Sequence, residues 1–304
     1  MNFTPSFSDD RPLAAIVLMV IAASLFAGLD TTAKYLSQSM DALNVVWLRY
    51  AFHALLVLVI LRAWKHFDAF HTEKPLLHIV RGMTLLGATL FNFWALRYLQ
   101  LAEASAIMFC SPMIVTALAG PLLGEAVGLR RWIAVGIGFV GVLVVTRPGT
   151  GAMHWAVMLS FVAVVNYAFY AILTRRMNKT ESPESLILLS SLIGVGALSP
   201  VAYDALASLH GWQWPLAILM GIFGATGHYA LVIAHRIASA SVIAPFIYTQ
   251  MAWMITLGFL VFGDVPDTWT LVGTAIIAGA GLYILHRERI RGQTVTAADP
   301  AVQD

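Results

Sequence analysis

Cysteine is all but missing from this chain. Cys110 stands alone, which excludes an intrachain disulfide and a cysteine-rich metal site. Charge is scarce too: Asp, Glu, Lys and Arg make up 11% of the 304 residues, against about 25% in a soluble domain. No glutamate lies deep in an apolar run, and neither a Gly-x-Ser-Gly nucleophile pattern nor a His-Glu-x-x-His zinc pair occurs. Tyr203-Asp204 and Gly263-Asp264 resemble the aspartates of an intramembrane protease only superficially, since both fall at the ends of apolar runs. These gaps argue against an enzyme. No catalytic residue, metal site, cofactor or nucleic-acid partner is expected.

Apolar sequence takes the place of what is missing. Hydrophobic residues make up 59% of the chain, and the mean hydropathy is +0.79. That excess has to face lipid. A helix crosses the roughly 30 Å hydrocarbon layer with about 20 residues, and uncharged stretches of this order mark ten spans. They cover residues 13–35, 43–62, 77–97, 104–124, 132–146, 155–174, 185–204, 214–234, 241–263 and 268–286. A transmembrane barrel would alternate polar and apolar residues, and the run from Ala134 to Val145 does not. The fold class is therefore an all-α polytopic membrane protein.

Basic residues orient the spans. With the N-terminus in the cytoplasm, inner segments near residues 62–81, 130–131, 175–179 and 287–291 hold most of the 18 Lys and Arg. The outside holds Arg97 and Arg147, and Lys34 and Arg49 lie near helix ends. The positive-inside rule then places both termini inside, in the inner (plasma) membrane. Residues 1–12 read as a short cytoplasmic segment with span one retained. Residues 287–304 read as a disordered cytoplasmic tail.

The chain also repeats itself. Gly87-Ala88-Thr89 recurs as Gly224-Ala225-Thr226, and the segment Leu101 to Ile107 resembles Ile237 to Ile243. Gly124-Glu125 matches Gly263-Asp264, and Trp132 with Gly136 match Trp269 with Gly273. Residues 13–149 and 150–286 are thus two five-helix repeats. Five is odd, so the second repeat enters the membrane inverted. Inverted repeats are a common transporter plan, with the solute held between the halves.

The same passages resemble the drug/metabolite transporter superfamily, in particular its ten-helix EamA branch. The resemblance rests on Leu29 to Leu36 with Met40 to Tyr50, on Ala95 to Ile107, and on Ser111-Pro112, Gly124-Glu125, Arg130 to Trp132 and Arg147 to Gly149. It extends through Ala240 to Gln250 and Leu282 to Leu285. Gln100 stands where the family often has proline, and Asp264 where it often has glutamate. The resemblance implies secondary transport, commonly export, through a central cavity lined by spans three, four, eight and nine. Within the family the chain is most similar to the YddG-type aromatic amino-acid exporters.

Polar residues within spans are costly, and each invites a role. Asp30 and Lys34 share a face of span one at i, i+4 spacing, and Arg49 lies early in span two. They form either a structural ion-pair cluster or a gate that opens and closes. Substrate-binding candidates are Asn92 and Trp94 in span three, Asn166 and Tyr170 in span six, and His228 and Tyr229 in span eight. Tyr248, Gln250 and Trp253 in span nine complete the set. Five other tryptophans, among them Trp132 and Trp269, sit near span ends as interfacial anchors.

The lack of a deep carboxylate disfavours proton-coupled export of organic cations. The lack of several inward basic residues disfavours highly anionic solutes. What remains is export, by alternating access, of a small neutral or zwitterionic metabolite, with amino acids including aromatic ones expected. A multidrug or other metabolite transporter of the same fold, or a passive channel, is the alternative. The expected partners are that solute and the lipid bilayer, with the monomer as the functional unit.

Overall fold

A computed structural model describes residues 12–61, 70, 72–123, 128–150, 153–177, 180–238 and 243–298. Among them the structure is all helix and turn, without a strand. In chain order the helices are α1 (Pro12–Ser37), α2 (Ala42–Leu61), α3 (Pro75–Leu96), α4 (Leu101–Met108), α5 (Ser111–Leu123) and α6 (Leu129–Thr146). Then come α7 (Val157–Met177), α8 (Pro183–Leu198), α9 (Gln213–Ile237), α10 (Thr249–Leu257) and α11 (Thr268–Ala298). Among the described residues, seven helices are long and apolar enough to cross a bilayer, and three shorter apolar helices accompany them.

Two spans are broken, and each break has a cause in the sequence. Span four divides into α4 and α5 at Phe109 and Cys110. Pro112 has no N–H to give, and its ring crowds the carbonyl one turn back. The chain responds with a tightened turn, Cys110 N–H to the Ile107 carbonyl at 3.0 Å. Span nine starts as a 3₁₀ turn (Ala244–Tyr248) at Pro245, continues as α10, and ends in a π turn (Gly258–Phe262). Gly263, at φ +71°, ends it there.

Other boundaries follow local chemistry. The Ser182 hydroxyl accepts from Ser185 N–H at 3.1 Å ahead of Pro183, a serine cap with proline at the first turn of α8. Asp267 does the same for α11, accepting from Thr270 N–H at 2.8 Å. Span seven ends at Leu198, earlier than its apolar run suggested, and residues 199–212 form turns. The tail read as disordered continues α11 as far as Ala298. Residues 1–11 and 299–304, the loop basic residues Arg62 and Lys65, and Gly124-Glu125 lie outside the described residues.

Helix pairing carries the two-repeat plan. α1 packs on α9, and α7, its counterpart in the second repeat, packs on α3. α2 packs on α9 as α8 packs on α3. α1 meets span nine as α7 meets span four. Each contact maps onto its partner when the halves are exchanged, and α2 with α8, α6 with α11, and α4 with α10 meet across the axis. Lipid supplies no hydrophobic drive for such contacts, so close fit has to hold them. At the α6–α11 crossing a Cβ on Gly273 would come within 2.6 Å of the Gly141 carbonyl, and one on Gly141 within 2.9 Å of the Gly273 carbonyl. Only glycines let these two backbones touch.

Candidate functional site

A cavity of about 200 Å³ lies where the two repeats meet. α1 contributes Met19, Phe26 and Asp30, α2 contributes Arg49, and α3 contributes Thr89, Asn92 and Phe93. Span four adds Ser105, Met108 and Phe109, α7 adds Tyr167, α9 adds His228, and span nine adds Gln250 and Met254. The walls are mostly apolar, aliphatic side chains together with aromatic rings and methionine thioethers, with a few hydrogen-bonding groups set into them. That is the usual build of a site for an organic molecule.

The polar groups are held by neighbours. Asn92 donates to the Asp30 carboxylate at 3.4 Å. The Arg49 guanidinium lies over the Tyr50 ring, 4.7 Å from its centroid, and donates to the Thr89 hydroxyl at 3.4 Å. Thr89 also meets the Tyr50 hydroxyl at 3.2 Å. The His228 ring stands edge-on to Phe26 at 5.0 Å and tilted against His53 at 5.7 Å. One acid and one base therefore face a single cavity, a fit for a neutral or zwitterionic guest.

Of the residues expected from sequence, Asn92, His228, Gln250, Asp30 and Arg49 line this cavity. Tyr170 lies beside it, its hydroxyl accepting from Arg81 at 3.1 Å. Asn166 is turned onto its own helix, donating to the Val162 carbonyl at 2.8 Å, and it packs on Gly87. Tyr248 is wedged between Phe109, at 5.1 Å, and Gly281. Trp94, Tyr229 and Trp253 do not line the cavity. They are 41%, 63% and 40% exposed, comparable to Trp132 at 49% and Trp269 at 56%.

The charged trio also divides. Lys34 does not pair with Asp30 or Arg49. Its ammonium donates to Asp264 at 2.8 Å and to the Leu99 carbonyl at 2.9 Å. The flexible stem carries the charge past the helix turn to the loop after span nine. Asp30 sits in the central cavity, so the argument from a missing deep carboxylate no longer stands.

Sequence reading missed Tyr167, Ser105, His53 and Arg81. Arg81, counted among the loop charges, is buried in α3 and donates to Thr174 at 2.7 Å and to the Leu186 carbonyl at 2.8 Å. The i, i+4 spacing of Arg49 and His53 within an apolar run was the available signal for His53.

At the end of the bundle where α1 finishes, Leu36, Leu96, Leu99 and Leu101, each at most 2% exposed, form an apolar layer beside the cavity. Lys34 clasps that layer to Asp264, and Arg147 pairs with Asp267 of the same loop. Both ion pairs join the first repeat to the second.

The family profile described as "EamA-like transporter family" matches residues 13–147 and again 154–286. The chain belongs to the EamA-like transporter family. It is a multi-pass membrane transporter and not an enzyme. A riboflavin transporter of Vibrio cholerae is 27% identical, the match covering 91% of this chain and 95% of that one. An S-adenosylmethionine uptake transporter of Rickettsia prowazekii is 24% identical over 86% of this chain and 88% of its own. A crystal structure superposes at a TM-score of 0.61 with 16% identity, covering 91% of this chain and 99% of that one. At that identity the likeness shows the fold of this EamA-family chain and nothing of its solute.

Proposed function

We propose that this EamA-family transporter carries a neutral metabolite with a flat heteroaromatic ring and a hydroxylated chain, riboflavin or a close analogue, by alternating access across the inner membrane. The observation that carries this reading is the cavity itself. Phe26, Phe93, Phe109 and Tyr167 offer faces and edges to a ring, while Asn92, Gln250, Ser105 and Arg49 offer hydrogen bonds around it. The similarity to riboflavin transporters supports the same class. Amino acids find no such support among these relatives, whose names specify riboflavin and S-adenosylmethionine.

The bias of basic residues in the loops supports a cytoplasmic location for both termini. On that orientation the clasped end is the outer one. Residues 13–149 and 150–286 act as the two rocking units, and one chain supplies both, so a monomer suffices. The inward direction follows the word "uptake" in the name of the Rickettsia relative.

A second reading is an S-adenosylmethionine-like solute, favoured by the Asp30 carboxylate in the cavity. Proteoliposome uptake separates the two. Labelled riboflavin is expected to enter saturably and to be blocked by excess unlabelled riboflavin, with S-adenosylmethionine and phenylalanine failing to compete. Saturable entry of S-adenosylmethionine alone would select the second reading. In that case Asp30→Asn would abolish the flux, whereas riboflavin flux is expected to fall only about two- to tenfold on loss of one neutral-solute contact.

A further inference from the structure

Behind Arg49 lies a second, smaller chamber of about 20 Å³. Arg49, Leu85 and His228 line both it and the main cavity, so the chamber is a side pocket of the same site. Its remaining walls are rich in polar side chains: Tyr50, His53, Tyr170, Ser190 and Ser191.

Three polar atoms here have no partner. Both ring nitrogens of His53, a residue 5% exposed, and Nε of Arg49, 6% exposed, are buried without a hydrogen bond. Leaving such groups bare costs about 1–3 kcal/mol each, so a buried site with three of them calls for a guest that hydrogen-bonds.

The surroundings hold these atoms in place. A Cβ on Gly224 would stand 3.2 Å from His53 Nδ1, so glycine leaves the imidazole its room. Gly194 admits the Tyr50 ring, where a Cβ would meet it at 2.6 Å. Arg81 engages Tyr170 and Ser190 from the far side. No acid lines the chamber.

Size and chemistry select the guest. A volume of this order admits one water-sized group, which a single hydroxyl matches and a two-oxygen carboxylate or a phosphate exceeds. Neutral imidazole offers one donor and one acceptor, and Arg49 Nε–H is a donor. A hydroxyl both gives and accepts, so it can satisfy His53 and Arg49 together.

We infer that the chamber behind Arg49 is a hydroxyl subsite that takes the end of the solute's polyol or sugar chain, with His53 as its specificity-determining residue. This rests on the flavin-like reading above and adds to it how the solute is oriented, ring in the main cavity and chain toward α2 and α8.

The test uses the full chain in lipid nanodiscs, titrated by fluorescence quenching with riboflavin and with lumichrome, the flavin ring without its chain. His53→Phe fills the chamber with apolar surface. It is expected to raise the Kd for riboflavin about tenfold more than that for lumichrome. His53→Asn, which keeps a donor and an acceptor, should recover part of the difference. Ser191→Ala, a smaller change on the opposite wall, should shift the same ratio a fewfold and carries the test if His53→Phe does not fold. Equal losses for both probes, or none, would overturn the subsite while leaving the flavin reading intact. If the unaltered chain binds neither probe, the flavin reading itself fails and the subsite falls with it.

Discussion

The two repeats share a packing plan and divide the chemistry unequally. Asp30, Arg49, Thr89, Asn92 and Ser105 come to the cavity from the first repeat, while the second sends Tyr167, His228 and Gln250. Both cavity charges belong to the first. Thr89 and Thr226 occupy matching positions and each donates to the carbonyl four residues back in its own helix, Leu85 and Ile222, yet Thr89 also meets Arg49 and Tyr50. Counted from the helix starts at Ala42 and Pro183, Arg49 and Tyr50 correspond to Ser190 and Ser191. On the alternation proposed above, the two halves exchange conformations, and equivalent contacts in a symmetric scaffold suit that exchange. On the same proposal the asymmetric lining suits a solute with unlike ends, held one way round.

The largest break in that asymmetry is Arg49→Ala. It removes the only Lys or Arg among the described residues lining the cavity, strips Thr89 of one partner, and leaves Asp30 without a facing cation. Breaking a buried charge arrangement from one side costs several kcal/mol. Uptake of riboflavin in proteoliposomes should fall by about a hundredfold or more. Arg49→Lys should recover only part of it, because a lysine cannot reproduce the planar contact with Tyr50. Flux within twofold of the unaltered chain would remove Arg49 from the site.

The ends of the bundle test how the halves separate. Lys34→Met frees Asp264 and the Leu99 carbonyl at the clasped end. Interhelical polar contacts in membranes contribute about 0.6–1.7 kcal/mol, so the equilibrium between open and closed outer ends should shift about fivefold. With Cys110 replaced by alanine, a cysteine at Ser105 should label from the outside about that much faster. The double variant Lys34→Asp with Asp264→Lys should return labelling toward the starting rate. No change in either would make the clasp a fixed strut.

These contrasts were only partly legible in the chain. Ten spans and their pairing into quintets follow from apolar length and from the echo of Gly87-Ala88-Thr89 in Gly224-Ala225-Thr226, because lipid imposes one rule on every span. Asn92, His228 and Gln250 stood out as polar residues in apolar surroundings. The aromatics misled: Trp94, Tyr229 and Trp253 carry no sequence mark that separates a lipid-facing ring from a cavity-facing one, since lipid and cavity are both apolar. Phe26 and Phe109, which do line the cavity, look like any other phenylalanine. The Lys34–Asp264 pair is 230 residues apart in sequence, and no local spacing signals a partner at that distance.

The smallest effect concerns the second tie between the repeats, Arg147 with Asp267. Partial burial pushes the Asp267 carboxyl up, and the Thr270 N–H and hydroxyl with the Arg147 guanidinium outweigh it, so its pKa lies below the ordinary value. A carboxylate depressed in the folded state adds stability that is fully present above its unfolded pKa and is lost as pH falls through the folded one. The contribution is therefore flat from pH 8 to pH 5 and fades only in stronger acid. Asp267 is 41% exposed at its side chain, and exposed pairs contribute about 0–1 kcal/mol. Asp267→Asn keeps a capping oxygen for Thr270 and should lower the unfolding temperature in nanodiscs by a degree or two at pH 7, with the difference closing below pH 4. Arg147→Gly removes the same pair but relieves a non-glycine residue held at φ +44°, so its unfolding temperature should lie at or above that of Asp267→Asn. A larger loss in the glycine variant would mean that Arg147 holds the loop through more than this ion pair.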